Sequence, residues 1–176
     1  MSTGLLELKA RCANPSRARR WLDANASSLG TYRQLDTYFH VPRGRLKVRE
    51  TDGEEGGSLI FYLREDIRGP KRSRILLLRM GGIRDVKEIL SNALGTLVTV
   101  EKVRIMYRWG RVQVHLDDVV GLGSFVEFER KGDRQEDEHA ARKEFQQLRE
   151  ALDVTDEDLV AGSYSDLLLA EASSGD

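Results

Sequence analysis

Two glutamates two residues apart, Glu127 and Glu129, are the residues of this sequence best placed to do chemistry. They end the run GSFVEFE, whose alternating apolar residues after a glycine indicate a β-strand. Because side chains alternate faces along a strand, both carboxylates project to one side. Carboxylate oxygens are hard ligands that suit Mg²⁺ or Mn²⁺. We therefore predict a cation site on this strand.

Other predicted strands carry basic residues at every second position. Arg45, Lys47 and Arg49 share one face of a strand, and Lys102 and Arg104 share a face of a later one. Ammonium and guanidinium groups match the charges of a polyphosphate, and arginine does so in bidentate fashion. If these faces point into a common interior, they form a basic wall opposite an acidic one.

Acidic residues on further strands extend the acidic side: Glu7 lies at the start of the chain and Asp117 near Glu127 and Glu129. A divalent metal held by these carboxylates would bridge them to phosphate oxygens and polarise a phosphoanhydride. The alternative is that the charges lie on the outward polar faces of a sandwich, the commoner arrangement for any single strand. Charges sorted by sign over five strands favour the interior site. His115 shares the face of Asp117, and either a phosphate contact or a structural hydrogen bond is open to it.

Composition limits the classes of function. The chain has 176 residues, and its 28 basic and 29 acidic residues leave a net charge of −1. No global field therefore attracts a nucleic acid polymer or an anionic membrane. The single cysteine, Cys12, excludes an internal disulfide and a cysteine-based zinc site. The first residues lack a signal peptide's basic and apolar regions, so we expect a cytoplasmic protein; its oligomeric state stays open.

Periodicity predicts eight strands and several helices. Strands are expected at 6–12, 32–41, 45–49, 58–64, 73–79, 96–108, 111–116 and 125–130. Helices are expected at 14–26, at 84–94 with Val86, Ile89, Leu90 and Leu94 on one face, and over the last part of the chain, where Ala141, Phe145, Leu148 and Leu152 form a core-facing stripe. Strands joined mostly by hairpins favour an antiparallel sheet, and closure into a barrel removes its edges. The expected fold is α+β, mainly β: an eight-stranded antiparallel closed barrel with flanking helices. Residues 1–171 are expected to form one domain and residues 172–176 a disordered tail.

Six segments, taken together and in order, resemble the CYTH family of triphosphate tunnel metalloenzymes. They are ELK at 7–9, QLDTYF at 34–39, GRLKVR at 44–49, GPK at 69–71, HLD at 115–117 and GLGSFVEFE at 121–129. The run GRLK and the GPK turn place the resemblance closest to the class IV adenylyl cyclase-like branch. The resemblance implies a tunnel-shaped barrel, a divalent cation and a triphosphate-bearing substrate.

The resemblance also implies roles for individual residues. Catalytic roles fall to Glu7, Lys9 and Asp117, and metal binding to Glu7, Asp117, Glu127 and Glu129. Substrate contacts are assigned to Lys9, Lys47, Arg49, Arg64, Lys71, Lys102 and Arg104. The first glutamate of the family's Glu-x-Glu-x-Lys signature is Leu5 here, so one carboxylate is missing.

Three functions are compatible with these residues. The first is metal-dependent hydrolysis of tripolyphosphate, a nucleoside triphosphate or thiamine triphosphate. The second is an adenylyl cyclase that forms cyclic AMP and pyrophosphate from ATP. The third is a polyphosphate-binding or nucleotide-binding module without turnover. We rank hydrolysis first, because cyclisation also requires a base pocket and a positioned sugar that no motif shows.

Overall fold

The computed structural model describes residues 2–132 and 135–174 of the chain. Within these ranges it contains eight β-strands and four α-helices. The strands are β1 Ser2–Arg11, β2 Ser27–Phe39, β3 Arg45–Thr51, β4 Gly57–Arg64, β5 Lys71–Met80, β6 Thr96–Trp109, β7 Val112–Val119 and β8 Gly123–Lys131. The helices are α1 Pro15–Asn25, α2 Ile83–Leu94, α3 Gln135–Leu152 and α4 Tyr164–Ser174. Every predicted strand is present, and most are longer than predicted.

The strands close into one antiparallel barrel in the order β1-β5-β4-β3-β2-β6-β7-β8. The last strand returns to the first, where Glu129 pairs with Glu7 and Glu127 with Lys9 in the register of β8 and β1. A closed barrel has no free edge strand, so its backbone groups are paired all round. The predicted eight-stranded antiparallel barrel with flanking helices is confirmed.

The two faces of β1 show how the sequence positions the site. Leu6, Leu8 and Ala10 are buried in a core outside the barrel wall, beneath α1 and α3. Glu7 and Lys9 alternate with them and line the interior. Helix α3 contributes the predicted apolar stripe to the outer core, and all four of its members are buried: Ala141, Phe145, Leu148 and Leu152.

Helix α4 covers one end of the barrel. Its first residue, Tyr164, packs in a buried cluster with Tyr38, Val100 and Phe125 near the ends of β2, β6 and β8. The helix starts with reciprocal capping: the backbone N–H of Ser163 donates to the Asp166 carboxylate at 2.7 Å, and the N–H of Asp166 donates to the Ser163 hydroxyl at 3.3 Å. This cap fixes the tyrosine at the end of the interior.

The helices differ from the predictions at two places. In α2, Val86 and Leu90 pack against the barrel, but Ile89 and Leu94 are exposed because Ile83 completes the contacting stripe instead. Helix α4 continues to Ser174, so residues 172–174 are helical rather than part of a disordered tail. Residues 175 and 176 lie outside the described residues. None of the four described helices is long and apolar enough to span a membrane.

Candidate functional site

The barrel encloses a cavity of about 580 Å³, a volume ordinary for a small-molecule site. Its exposed rim includes Glu54, Arg79 and Lys131, at the end of the barrel away from α4. Most of the predicted site residues line it: Glu7, Lys9, Lys47, Arg49, Arg64, Lys102, Arg104, Glu127 and Glu129. The structure thus gathers these predicted side chains from five strands into one cavity.

Basic and acidic side chains lie on opposite walls of this cavity. In the closed order, β3 and β8 are four strands apart in both directions, so they face each other across the interior. Lys47 and Arg49 line the cavity from β3, and Glu127 and Glu129 line it from β8. Charges separated in this way can hold a polyanion on one side and a cation on the other.

Glu127 is the most heavily paired carboxylate of the acidic wall. Lys9 Nζ lies 3.0 Å from its Oε1, and Arg104 Nη2 donates to its Oε2 at 2.6 Å. Burial acts to raise the pKa of Glu127, but Lys9 and Arg104 outweigh it and hold that pKa well below its usual range. Burial has the opposite effect on Lys9 and lowers the pKa of its ammonium.

Glu7 lies beside Glu129 and is held by two donors. Arg64 Nη1 donates to Glu7 Oε1 at 2.5 Å, and the Ser73 hydroxyl donates to Oε2 at 2.7 Å. The side chain of Glu129 is 25% exposed and lies closer to the open end. Glu7 is therefore fixed in orientation, while Glu129 is more accessible from solvent.

Asp117 occupies a different position from the predicted one. It is buried behind Arg104, which donates to its two oxygens at 2.7 and 2.6 Å, and the Tyr164 hydroxyl donates to Oδ2 at 2.7 Å. Asp117 does not line the cavity. The geometry therefore does not support its prediction as a metal ligand: the carboxylate positions Arg104 instead.

Lys71 also differs from its prediction as a substrate contact. Its ammonium donates to the backbone carbonyls of Ile67, Val160 and Ala161 at 3.1, 2.9 and 2.7 Å. Lys71 is buried and is not part of the cavity lining. Its role in this structure is to fasten the segment before α4 to the start of β5.

Asp36 on β2 is a site residue that the charge pattern did not identify. It is 1% exposed and accepts hydrogen bonds from Lys47 at 2.7 Å, Lys102 at 3.0 Å and Arg49 at 2.7 Å to each oxygen. We call these four residues the Asp36 cluster. Burial acts to raise the pKa of Asp36, yet the three cations hold it well below its usual range. Tyr38 also lines the cavity, and its hydroxyl accepts a hydrogen bond from Lys47 at 3.2 Å.

His115 joins the acidic wall from β7. Its ring is 2% exposed and lines the cavity beside Glu127 and Glu129. Ligand atoms of these three residues all lie within 4.8 Å of one another. Two carboxylates and an imidazole are a donor set that suits a divalent cation, so the residues present fit a metal.

The CYTH domain family profile matches residues 6–164 of the chain. A search by sequence among curated proteins gives no match.

Solved structures share the fold at low sequence identity. The PH1012 protein from Pyrococcus horikoshii OT3 has a TM-score of 0.82 and 22% identity, covering 95% of this chain and 99% of that one. A candidate adenylate cyclase from Vibrio parahaemolyticus has a TM-score of 0.80 and 18% identity, covering 96% and 99%. A candidate adenylyl cyclase from Hippeastrum, described as having a dominant triphosphatase activity, has a TM-score of 0.65 and 15% identity, covering 96% of each chain.

Proposed function

The chain belongs to the CYTH domain family, and from this premise we propose that it is a divalent-metal-dependent enzyme that hydrolyses a triphosphate-bearing substrate. Family members bind triphosphate substrates and depend on a metal. The observation that carries the proposal is the cavity itself, in which Lys47 and Arg49 of the Asp36 cluster lie across from Glu127 and Glu129. The substrate class comprises tripolyphosphate, nucleoside triphosphates and thiamine triphosphate.

The basic side of the cavity supplies the anion grip. Lys47, Arg49 and Lys102 converge on a single carboxylate, so three cations with one counter-anion leave local positive charge for phosphate oxygens. Arg64 extends this charge toward Glu7. A triphosphate spans several such contacts at once, whereas a monophosphate engages only part of them.

The acidic side would hold the cation. Glu127 and Glu129, with His115 beside them, are the residues that converge closely enough to bind it. Mg²⁺ or Mn²⁺ supplies charge neutralisation on the phosphate oxygens and polarises the phosphoanhydride. The carboxylates would otherwise repel the substrate.

The remaining charged residues would act on the transferred phosphoryl group and the water. Lys9 and Arg104 already contact Glu127, and their charge would stabilise the negative charge that develops on the phosphoryl oxygens. Glu7, oriented by Arg64 and Ser73, would orient the attacking water. Asp117 would contribute by holding Arg104 in position.

An adenylyl cyclase is the second candidate, favoured by the similarity to the Vibrio parahaemolyticus structure. The Hippeastrum structure, for which triphosphatase activity is described, supports hydrolysis as the first choice. Cyclisation would need the same grip on the triphosphate with a ribose hydroxyl in place of water as the attacking group.

A substrate panel tests the proposal. Tripolyphosphate, ATP and thiamine triphosphate are incubated with the protein and either Mg²⁺ or Mn²⁺, and phosphate, pyrophosphate and cyclic AMP are quantified separately. We expect metal-dependent phosphate release that chelation abolishes. Cyclic AMP with pyrophosphate would identify a cyclase, and binding without product would identify a non-catalytic module.

Arg49→Ala should weaken tripolyphosphate binding by about 2–3 kcal/mol, because a bidentate cation of the basic wall is lost. The loss should be smaller for inorganic phosphate, which makes fewer contacts. Isothermal titration with both ligands measures the difference. Arg33→Ala is the matched control, because Arg33 lies on the same sheet but is 62% exposed. Equal losses of affinity for both ligands would show that Arg49 does not distinguish tripolyphosphate from inorganic phosphate.

Tripolyphosphate binding should take up protons above neutral pH. Burial lowers the pKa of Lys102 to about 7, with Asp36 opposing the shift, so at pH 8 much of the ammonium is deprotonated in the free protein. A bound polyanion favours the charged form and raises this pKa, so binding requires proton uptake and affinity should fall as pH rises from 7 to about 9. Calorimetry in two buffers of different ionisation enthalpy measures the uptake. Lys102→Met should reduce it, and unchanged uptake in that variant would assign the proton to another group.

A further inference from the structure

His115 is a buried imidazole without a good hydrogen bond. Its Nε2 is buried and has no partner in residues 2–132 or 135–174. Its Nδ1 lies 3.5 Å from Glu127 Oε2 and 3.8 Å from Glu129 Oε1, beyond the usual range for a hydrogen bond between nitrogen and oxygen. Buried polar side chains are nearly always paired, so this one calls for a physical explanation.

The surroundings of Nδ1 indicate what would pair with it. Two carboxylates of β8 converge on this nitrogen, and the three ligand atoms lie within 4.8 Å of one another. Ligand atoms bound to one divalent ion at about 2.1 Å lie about 3.0–3.5 Å apart, and the distances of 3.5 and 3.8 Å from Nδ1 to the two carboxylates are close to this range. In the tautomer that carries its proton on Nε2, the imidazole would offer an Nδ1 lone pair to a cation placed between it and the two carboxylates.

We propose that His115 is a nitrogen ligand of the cation site, and that the site takes a transition-metal ion such as Mn²⁺ or Co²⁺ in preference to Mg²⁺. This inference rests on the proposed metal-dependent function, and it specifies the class of metal ion that the site would bind. Imidazole binds first-row transition metals well, and Mg²⁺ strongly prefers oxygen ligands. The donor set of His115, Glu127 and Glu129 therefore favours the transition metal.

The residue at position 5 also favours a nitrogen ligand. Leu5 lies on the same face of β1 as Glu7, in register with Ser73 and Lys131, and its side chain offers no oxygen ligand. No oxygen of Glu7 belongs to the group of converging ligand atoms. In the structure, the third donor that lies closest to the pair on β8 is thus a nitrogen.

Metal titrations on the protein without triphosphate test the proposal. Co²⁺ and Mg²⁺ are titrated into the wild type, His115→Gln and His40→Gln, with calorimetry and the visible absorption of Co²⁺ as readouts. His40 is the matched control because it is exposed at the end of β2. We expect the wild type and His40→Gln to bind Co²⁺ at least about tenfold more tightly than Mg²⁺. His115→Gln should lose about 10–100-fold in Co²⁺ affinity with a shifted absorption band and a nearly unchanged Mg²⁺ affinity. Unchanged Co²⁺ affinity and spectrum, or equal losses for both ions, would overturn the proposal.

Pulsed electron paramagnetic resonance on the wild type gives an answer that does not depend on how the variant folds. Mn²⁺ bound to protein labelled with ¹⁵N-histidine should show a coupling to a directly bound nitrogen. Mn²⁺ bound without that coupling would overturn the assignment of His115 as a ligand. Neither experiment measures turnover, so a protein that binds Co²⁺ through His115 but hydrolyses nothing would contradict the proposed function and leave this inference intact.

Discussion

Asp36→Ala is expected to destabilise the ligand-free protein by about 3–5 kcal/mol, because it leaves Lys47, Arg49 and Lys102 without their common counter-anion. The Asp36 carboxylate is 1% exposed, so water that enters in its place would solvate the three cations only partly. Tripolyphosphate should restore part of the loss, because its oxygens can pair with the same three cations. The increase in melting temperature on adding tripolyphosphate should therefore be larger for this variant than for the wild type.

Asp156→Ala is the matched control for this prediction. Asp156 also pairs with an arginine, Arg149 at 2.6 Å, but its side chain is 89% exposed. Removing it should cost less than about 1 kcal/mol, and tripolyphosphate should not compensate. Thermal and urea unfolding of the two variants with and without tripolyphosphate give the comparison. An Asp36→Ala protein as stable as the wild type would mean that the three cations do not depend on this carboxylate.

Glu127→Gln is expected to lower metal-dependent turnover by about 100-fold or more. The substitution removes a charged oxygen ligand from the acidic wall and releases the partner of Lys9 and Arg104. It should also lower the free energy of unfolding, because two buried cations lose a charged partner and the amide has only one oxygen that can accept hydrogen bonds from them. Steady-state kinetics over a range of metal concentrations separates a loss of metal affinity from a loss of kcat.

Glu101→Gln provides the control, because Glu101 is 46% exposed in its pair with Arg33. Its turnover should match that of the wild type. If the activity of Glu127→Gln at saturating metal lies within about threefold of the wild-type activity, this carboxylate is not part of the metal site.

The strands of the barrel could be predicted from the sequence because the pattern that marks a strand lies within that strand's own residues. Alternation of apolar and charged residues fixes both the strand and the face, as Glu7 and Lys9 show against Leu6 and Leu8. The same alternation predicted most of the charged residues that line the cavity, because residues two positions apart, such as Glu127 and Glu129, project from the same face of a strand. The number of strands also suggested closure into a barrel, and the resemblance to the CYTH family implied the same closure and a triphosphate substrate.

The alternation of faces along a strand could not predict which groups an inward-facing side chain contacts. Asp117 lies on the predicted face of its strand, but Arg104 and Tyr164 donate hydrogen bonds to its oxygens. The contact with Tyr164 forms only because α4 packs against the end of the barrel. Lys71 likewise meets carbonyls of the segment before α4. Asp36 was missed because it is a single acid on its strand, and its importance arises only when β3 and β6 pair on either side of β2. These contacts are set by tertiary structure and leave no periodic signal.

The most direct measurement is a crystal structure of the protein with Mn²⁺ and a non-hydrolysable triphosphate analogue, using anomalous scattering to locate the metal. An anomalous peak is expected at Glu127 and Glu129, with phosphate oxygens contacting Lys47, Arg49 and Lys102. A groove beside the barrel cavity is lined by Arg43, Arg72 and Arg142, and it shares Arg64 and Lys131 with the cavity. Triphosphate bound at Arg43, Arg72 and Arg142, with no metal inside the barrel, would contradict the proposed function.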